Sequence, residues 1–172
     1  MNRYLGLEKE KVVALPPGGE IYNSHVPVED KSLKQRLNII YVGGISERYG
    51  LENMLSAVDS LNDVRESCRL LLVCREEEFK GYYAKVKPYL GKRWIEIYHA
   101  YGEQLQSIYR KADIGIIPIR KNKYNDFAVP VKLFEYVSHG LPIVATNCTA
   151  QAEIIHKFEL GVVTADDRAS LA

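Results

Sequence analysis

Six short apolar runs punctuate the chain, at 37–42, 70–74, 95–98, 114–117, 143–145 and 162–163. Most are continuous rather than alternating, which is the pattern of strands covered on both faces, as in parallel sheets. Between the runs, apolar residues recur three and four apart. Leu51, Met54, Leu55, Val58 and Leu61 form one such stripe, and Phe79, Tyr82, Tyr83, Val86 and Leu90 form a second. Leu105, Ile108, Tyr109 and Ala112 form a third. Val129, Leu133, Phe134 and Val137 form a fourth, with Pro130 suited to a first helical turn and Gly140 and Pro142 as stop signals. A weaker stripe covers 150–156. Strand and helix thus alternate about five times, which predicts an α/β domain over 37–172. The expected architecture is a Rossmann-like doubly wound parallel sheet with right-handed crossovers and helices on both faces.

Residues 1–36 do not join this rhythm. A strand is expected over 11–15, followed by a turn at Pro16-Pro17-Gly18-Gly19, and the segment reads as a linker or the tail of a preceding domain. At the other end, Asp166-Asp167-Arg168 suits the first turn of a helix, and the domain is expected to continue past Ala172.

Composition narrows the function. With 47% hydrophobic and 26% charged residues, intrinsic disorder is excluded for most of the chain. Lys plus Arg is 23 against 22 Asp plus Glu, so no overall field draws nucleic acid or an anionic membrane. Cys68, Cys74 and Cys148 are too few and too scattered for a disulfide framework; buried free thiols suit a reducing cytoplasm. No apolar stretch approaches the roughly 20 residues of a membrane span. The expected location is therefore cytoplasmic, with peripheral attachment at the inner membrane face open to the full-length protein. The four histidines are dispersed, without metal-ligand spacing to one another or to cysteine, so no metal site is expected. His99 ends the third strand, where it either faces the cleft or is structural. The tyrosines fall on helix stripes and strand ends, which suits core and rim rather than a platform for single-stranded nucleic acid.

In open parallel sheets, ligands bind outside the carboxyl ends of the strands, so the loops there carry the candidate chemistry. Gly43 and Gly44 open the first, with Arg48 close behind. The loop is either an anion site at a helix start or a tight turn with a solvated arginine. A second region runs from Arg120 to Gly140. Within it Lys132 and Glu135 share a helix face, either as a ligand-binding pair, the carboxylate accepting from a cis-diol such as ribose, or as a surface ion pair. A third, at 146–153, is a polar helix start that an ordinary cap explains.

Together these pieces resemble the C-terminal, donor-binding domain of glycosyltransferase family four, whose members have the two-Rossmann-domain (GT-B) fold. The strongest stretch is 130–146, which matches the family's P-x-K-x-F-E-Y-x-x-x-G-x-P-[IV]-[IV]-A-[ST] block. Tyr41-Val42-Gly43-Gly44-Ile45, the 98–101 turn and the 105–118 segment support it, and Leu15-Pro16-Pro17-Gly18-Gly19 is similar to the turn that ends the family's N-terminal domain. The resemblance implies a retaining transferase that moves a sugar from a nucleotide diphosphate sugar to an acceptor hydroxyl. It implies that Glu135 holds the nucleotide ribose and Lys132 lines the donor site beside it, the two being the catalytic candidates. It implies that Gly43 and Gly44 approach the diphosphate, and that the loop with Phe127, Ala128 and Val129 offers backbone N–H groups to sugar and phosphates. No cofactor or metal is implied; side-chain cations and a helix dipole oppose the charge of the leaving diphosphate. The implied partners are the nucleotide sugar and, through a separate N-terminal domain, an acceptor sugar or lipid-linked glycan of cell-surface polysaccharide synthesis. This domain alone is expected to transfer no sugar.

The sequence departs from the family at instructive places. Many members carry Arg where Gly44 stands and Lys or Arg where Tyr49 stands, and those cations bind the diphosphate. Arg48 is the nearest substitute here. Phe127 stands where a glutamate is common. Two further readings remain: a non-catalytic nucleotide-binding or interaction module that kept the fold, and a nucleotide-sugar epimerase, against which the P-x-K-x-F-E-Y block argues.

Overall fold

The computed structural model describes residues 36–172, so the strand anticipated over 11–15 and the turn after it lie outside the described residues. Six strands form one sheet: β1 (Leu37–Val42), β2 (Cys68–Val73), β3 (Ile95–Tyr98), β4 (Ile114–Ile117), β5 (Ile143–Thr146) and β6 (Gly161–Thr164). Their order is β3-β2-β1-β4-β5-β6, and every neighbouring pair is parallel. The crossovers are α1 (Leu51–Val64), α2 (Glu76–Val86), α3 (Gly102–Tyr109), α4 (Val131–Ser138) and α5 (Thr149–Lys157), with a short α6 (Arg168–Leu171) after β6. This is the doubly wound, Rossmann-like order expected from the alternation.

Continuous apolar runs become strands because both faces are covered. Along β1, Tyr41 faces one core with Leu51, Met54, Leu55, Val58, Leu70 and Leu72. Ile40 faces the other, with Leu71, Val73, Ile117, Leu133, Tyr136 and Ile143. Alternate side chains go to opposite layers, so both sets must be apolar. At the chain's end, Leu171 of α6 is buried in the first of these cores, and Asp167 caps that helix by accepting from the Ser170 N–H at 3.0 Å.

Local boundaries differ from the sequence pattern where tertiary contacts intervene. β2 begins at Cys68 because its first two residues pair with Leu37 and Asn38 of β1, although Arg69 interrupts the apolar run. Cys74 lies in the turn beyond it. Pro130 is extended (ψ 137°) and stands just outside α4, so Val129 packs from a loop and not from the helix. α2 stops at Val86 and gives way to a 3₁₀ turn at Lys87–Tyr89 containing Pro88, which leaves Leu90 37% exposed.

The sheet order reverses between β1 and β4, and there the ladder splits. Only Ile39–Ile114 and Ile40–Gly115 pair across it. Beyond that point the Tyr136 hydroxyl fills the gap. It accepts from the Val42 N–H at 3.2 Å and donates to the Ile116 carbonyl at 3.3 Å, with its side chain fully buried. Gly115 makes room for the ring, since a methyl there would lie 2.4 Å from Tyr136 Cδ2. The crevice for a ligand is expected above such a split, outside the carboxyl ends of the strands.

Candidate donor site

Gly43 follows β1 directly, in a positive-φ conformation (134°) that favours glycine. Across it lies Lys132 from the first turn of α4, its Nζ 3.0 Å from where a methyl on Gly43 would stand. That ammonium also sits 3.9 Å from the Tyr41 ring centroid and 5.7 Å from that of Tyr49. Aromatic faces attract a cation, more strongly when water is excluded. Burial works against the charge, and it pulls the Lys132 ammonium down to about 7, although Glu135 and Glu78 act in the opposite direction. The result is an amine able to change charge near neutral pH at the mouth of the sheet.

Glu135, one turn further along α4, is part-buried and accepts a hydrogen bond from the Tyr109 hydroxyl at 3.2 Å on Oε2. It makes no ion pair with Lys132, so the surface ion pair allowed by spacing does not form. The structure therefore brings Gly43 and Lys132 together, with Glu135 on the same helix as Lys132.

The glycine loop is more committed to the protein than its sequence suggests. The Gly43 N–H donates to Val73 O at 3.0 Å, and the Ile45 N–H donates to Glu78 Oε2 at 3.0 Å. Tyr41 donates its hydroxyl to Gly44 O at 2.5 Å. A methyl on Gly44 would lie 3.0 Å from the Tyr49 ring and 3.2 Å from Glu78 Oε2. Tyr49 thus fills space against the glycines, and a carboxylate already occupies one anion-seeking donor of the loop.

Arg48 points elsewhere. It is exposed, its Nε donates to Asn125 Oδ1 at 3.3 Å, and its guanidinium lies 4.3 Å from the Tyr124 ring centroid. The 120–129 loop is pinned to the 47–49 turn by these contacts and by Arg120, which bonds Glu47 at 2.7 Å. Asp126 anchors the same loop to the start of α5, accepting from the Thr149 N–H and hydroxyl at 2.8 and 2.9 Å. Those donors, the backbone N–H first, hold the Asp126 carboxyl below its ordinary value. Phe127 stands 70% exposed against Tyr124, while Ala128 and Val129 are part-buried. The Ala128 N–H is directed to Asn125 O at 3.3 Å. His99 bonds Cys74 O through Nδ1 at 2.9 Å and packs on Phe79, which gives it a structural place.

Tyr109, Tyr41 and Glu78 are neighbours of the site to which the sequence pattern assigns no role. They come from three separate elements, and no local spacing links them to Lys132 or Glu135. The clefts beside Trp94 and beside Tyr89 lie on other parts of the surface and are lined by neither. Among the described residues no cluster of three His, Cys, Asp or Glu side chains is placed to hold a metal ion, and no helix is long and apolar enough to cross a membrane.

Comparison with known proteins agrees with this fold. A stretch of 42 residues, 24% of the chain, is 40% identical to the putative teichuronic acid biosynthesis glycosyltransferase TuaH of Bacillus subtilis (strain 168), covering 11% of that protein. The fold is similar to that of WaaG, a glycosyltransferase involved in lipopolysaccharide biosynthesis, with a TM-score of 0.70 and 20% identity over 99% of this chain and 48% of WaaG. It is also similar to an α,α-trehalose-phosphate synthase (UDP-forming) from Burkholderia xenovorans, with a TM-score of 0.59 and 16% identity over 80% of this chain and 34% of that one. The chain thus spans about half the length of WaaG and less of the others. The sequence profile of the family described as "Glycosyl transferases group 1" matches residues 36–172. The sheet is the Rossmann-like half of a GT-B fold, and the chain belongs to the group 1 glycosyl transferases.

Proposed function

We propose that residues 36–172 form the donor-binding half of a retaining glycosyltransferase, which moves a sugar from a nucleoside diphosphate sugar to an acceptor hydroxyl. The observation that carries this reading is the Lys132 ammonium held against Gly43, at the strand-order switch, with Glu135 on the same helix. In this reading Glu135 accepts from the ribose diol. Lys132 faces the diphosphate and opposes the negative charge that grows on it as the glycosidic bond breaks. A positive charge preset in a water-poor site acts without reorganising at the moment of reaction. The chemistry asks for no cofactor or metal in this proposal. Phe127, Ala128 and Val129 border the sugar, and Arg48 supplies a second cation by swinging from Tyr124 to the diphosphate. Residues 36–172 bind nucleotide weakly and transfer no sugar alone, because the acceptor, a sugar or lipid-linked glycan, sits on a second domain. The names of TuaH and WaaG support a role in cell-surface polysaccharide synthesis; the proposed location is cytoplasmic, with peripheral attachment at the inner membrane face open to the full-length protein.

The test is a thermal shift of the 172-residue chain with UDP, GDP and ADP, followed by a crystal soak. A ligand that binds only the folded state raises Tm. At least one of the three is expected to raise it and to leave density beside Glu135. No shift with any of them, or density away from Glu135, would overturn the reading. A second reading, a nucleotide-binding module without catalysis, is favoured by Tyr49 and Glu78, which crowd Gly44, the position at which the family resemblance implies a cation in many members. It predicts nucleotide binding with no transfer when the full-length protein is given donor and acceptor.

A further inference from the structure

The carboxylate that the proposed function depends on has one neighbour whose role the sequence does not suggest. Tyr109 is the last residue of α3 and is 3% exposed. Its ring stacks on His139 at 4.0 Å and 13°, and meets the Tyr136 ring edge-on at 6.2 Å and 68°. Tyr136 is in turn fixed by the Val42 N–H and the Ile116 carbonyl at the split between β1 and β4. The Tyr109 ring is therefore held by two aromatic neighbours, and its hydroxyl donates to Glu135 Oε2 at 3.2 Å.

We propose that Tyr109 is a positioning residue: its hydroxyl holds the Glu135 carboxylate in the orientation that grips a ribose diol, and so sets the site's preference for ribo- over deoxyribonucleotides. The proposal rests on the reading that Glu135 binds the nucleotide ribose. An ionised carboxylate has about four acceptor positions and no donor. One neutral phenol takes a single position on Oε2 and leaves the other oxygen for the two hydroxyls of a diol. Without that bond Glu135 gains rotamers, and its nearest attraction is the Lys132 ammonium on the same helix face, one turn away. A side chain already ordered in its bound geometry loses less freedom on binding. The cost of losing Tyr109 should therefore fall on the diol contact and not on the base or the phosphates.

Calorimetry on the 172-residue chain tests this, using whichever of UDP, GDP and ADP binds, against its 2′,3′-dideoxy counterpart. The wild type is expected to prefer the ribo form. Tyr109→Phe keeps the ring stack and removes the hydrogen bond to Glu135, so the preference should fall by about three- to tenfold while dideoxy affinity stays unchanged. In a Glu135→Gln background, Tyr109→Phe should have no further effect on the preference. Replacing Tyr109 by 3-fluorotyrosine, which keeps the donor, should retain the wild-type preference even if the phenylalanine variant folds poorly. An unchanged preference in Tyr109→Phe, or equal weakening of both nucleotides, overturns the proposal while leaving the donor-site reading intact. A wild type that binds nucleotide without preferring ribose removes the assigned role of Glu135 and this proposal with it.

Discussion

Removing one oxygen atom from Tyr136 should weaken the whole domain. The hydroxyl bridges Val42 N–H and Ile116 C=O, where β1 and β4 part company. In Tyr136→Phe both backbone groups lose this partner inside a core position of zero exposure. A buried polar group left unpaired costs about 1–3 kcal/mol. The two bonds are long, at 3.2 and 3.3 Å, which places the expected total near about 2 kcal/mol, toward the lower end for two groups. For a domain between the small and large size classes this is a Tm loss of roughly 5–10 °C. The assay is urea unfolding of the 172-residue chain with and without the substitution, read by far-ultraviolet circular dichroism. Amide exchange at Val42 gives a second, local readout, and it should accelerate. If Tyr136→Phe unfolds within about 0.5 kcal/mol of the wild type, as an ordinary surface change would, the hydroxyl does not hold the split and the argument fails.

Gly115→Ala attacks the same junction from the other side. Its methyl would meet the Tyr136 ring at 2.4 Å, so a loss of about 1–3 kcal/mol is expected in the same unfolding assay, and wild-type stability would refute the fit. Lys132 gives a pH signature. Its folded value is lowered by burial to about 7 from an ordinary 10.5. Between those values the unfolded chain holds a proton that the folded chain lacks, so stability should rise with pH there, by up to about 1.4 kcal/mol per unit. Lys132→Met should flatten that rise in urea midpoints taken at pH 7, 8 and 9. In the wild type, nucleoside diphosphate affinity should fall as pH climbs through about 7, because the ammonium facing Tyr41, Tyr49, Glu78 and Glu135 is being lost; a pH-independent affinity would show that its charge is not used. Arg48→Ala should weaken nucleoside diphosphate binding by about tenfold if a hydrogen-bonded charge is lost, and unchanged affinity in calorimetry would remove Arg48 from the site.

The order of elements was legible in the residues themselves. Short continuous apolar runs suit interior strands, and stripes three and four apart suit the helices covering them. Glycine after β1 and the block from Pro130 to Thr146 marked a candidate ligand site, and the structure brings Gly43 and Lys132 together there. Local pattern failed where distant backbone decided the outcome. β2 runs through Arg69 because β1 pairs with it, and Pro130 stands outside the helix it was expected to begin.

What only the tertiary structure decided is the electrostatic character of the site. Lys132 and Glu135 are three residues apart, and that spacing alone suits an exposed ion pair. Folding places one amine over the ring of Tyr41 and within reach of that of Tyr49, and gives the carboxylate a phenol from position 109 instead. It also sets Glu78, from the second crossover helix, on the amide of Ile45. Charge, solvation and hydrogen-bond partners depend on distances between atoms far apart along the chain. A one-dimensional pattern records which residues are present and how they are spaced; it does not record which of them meet.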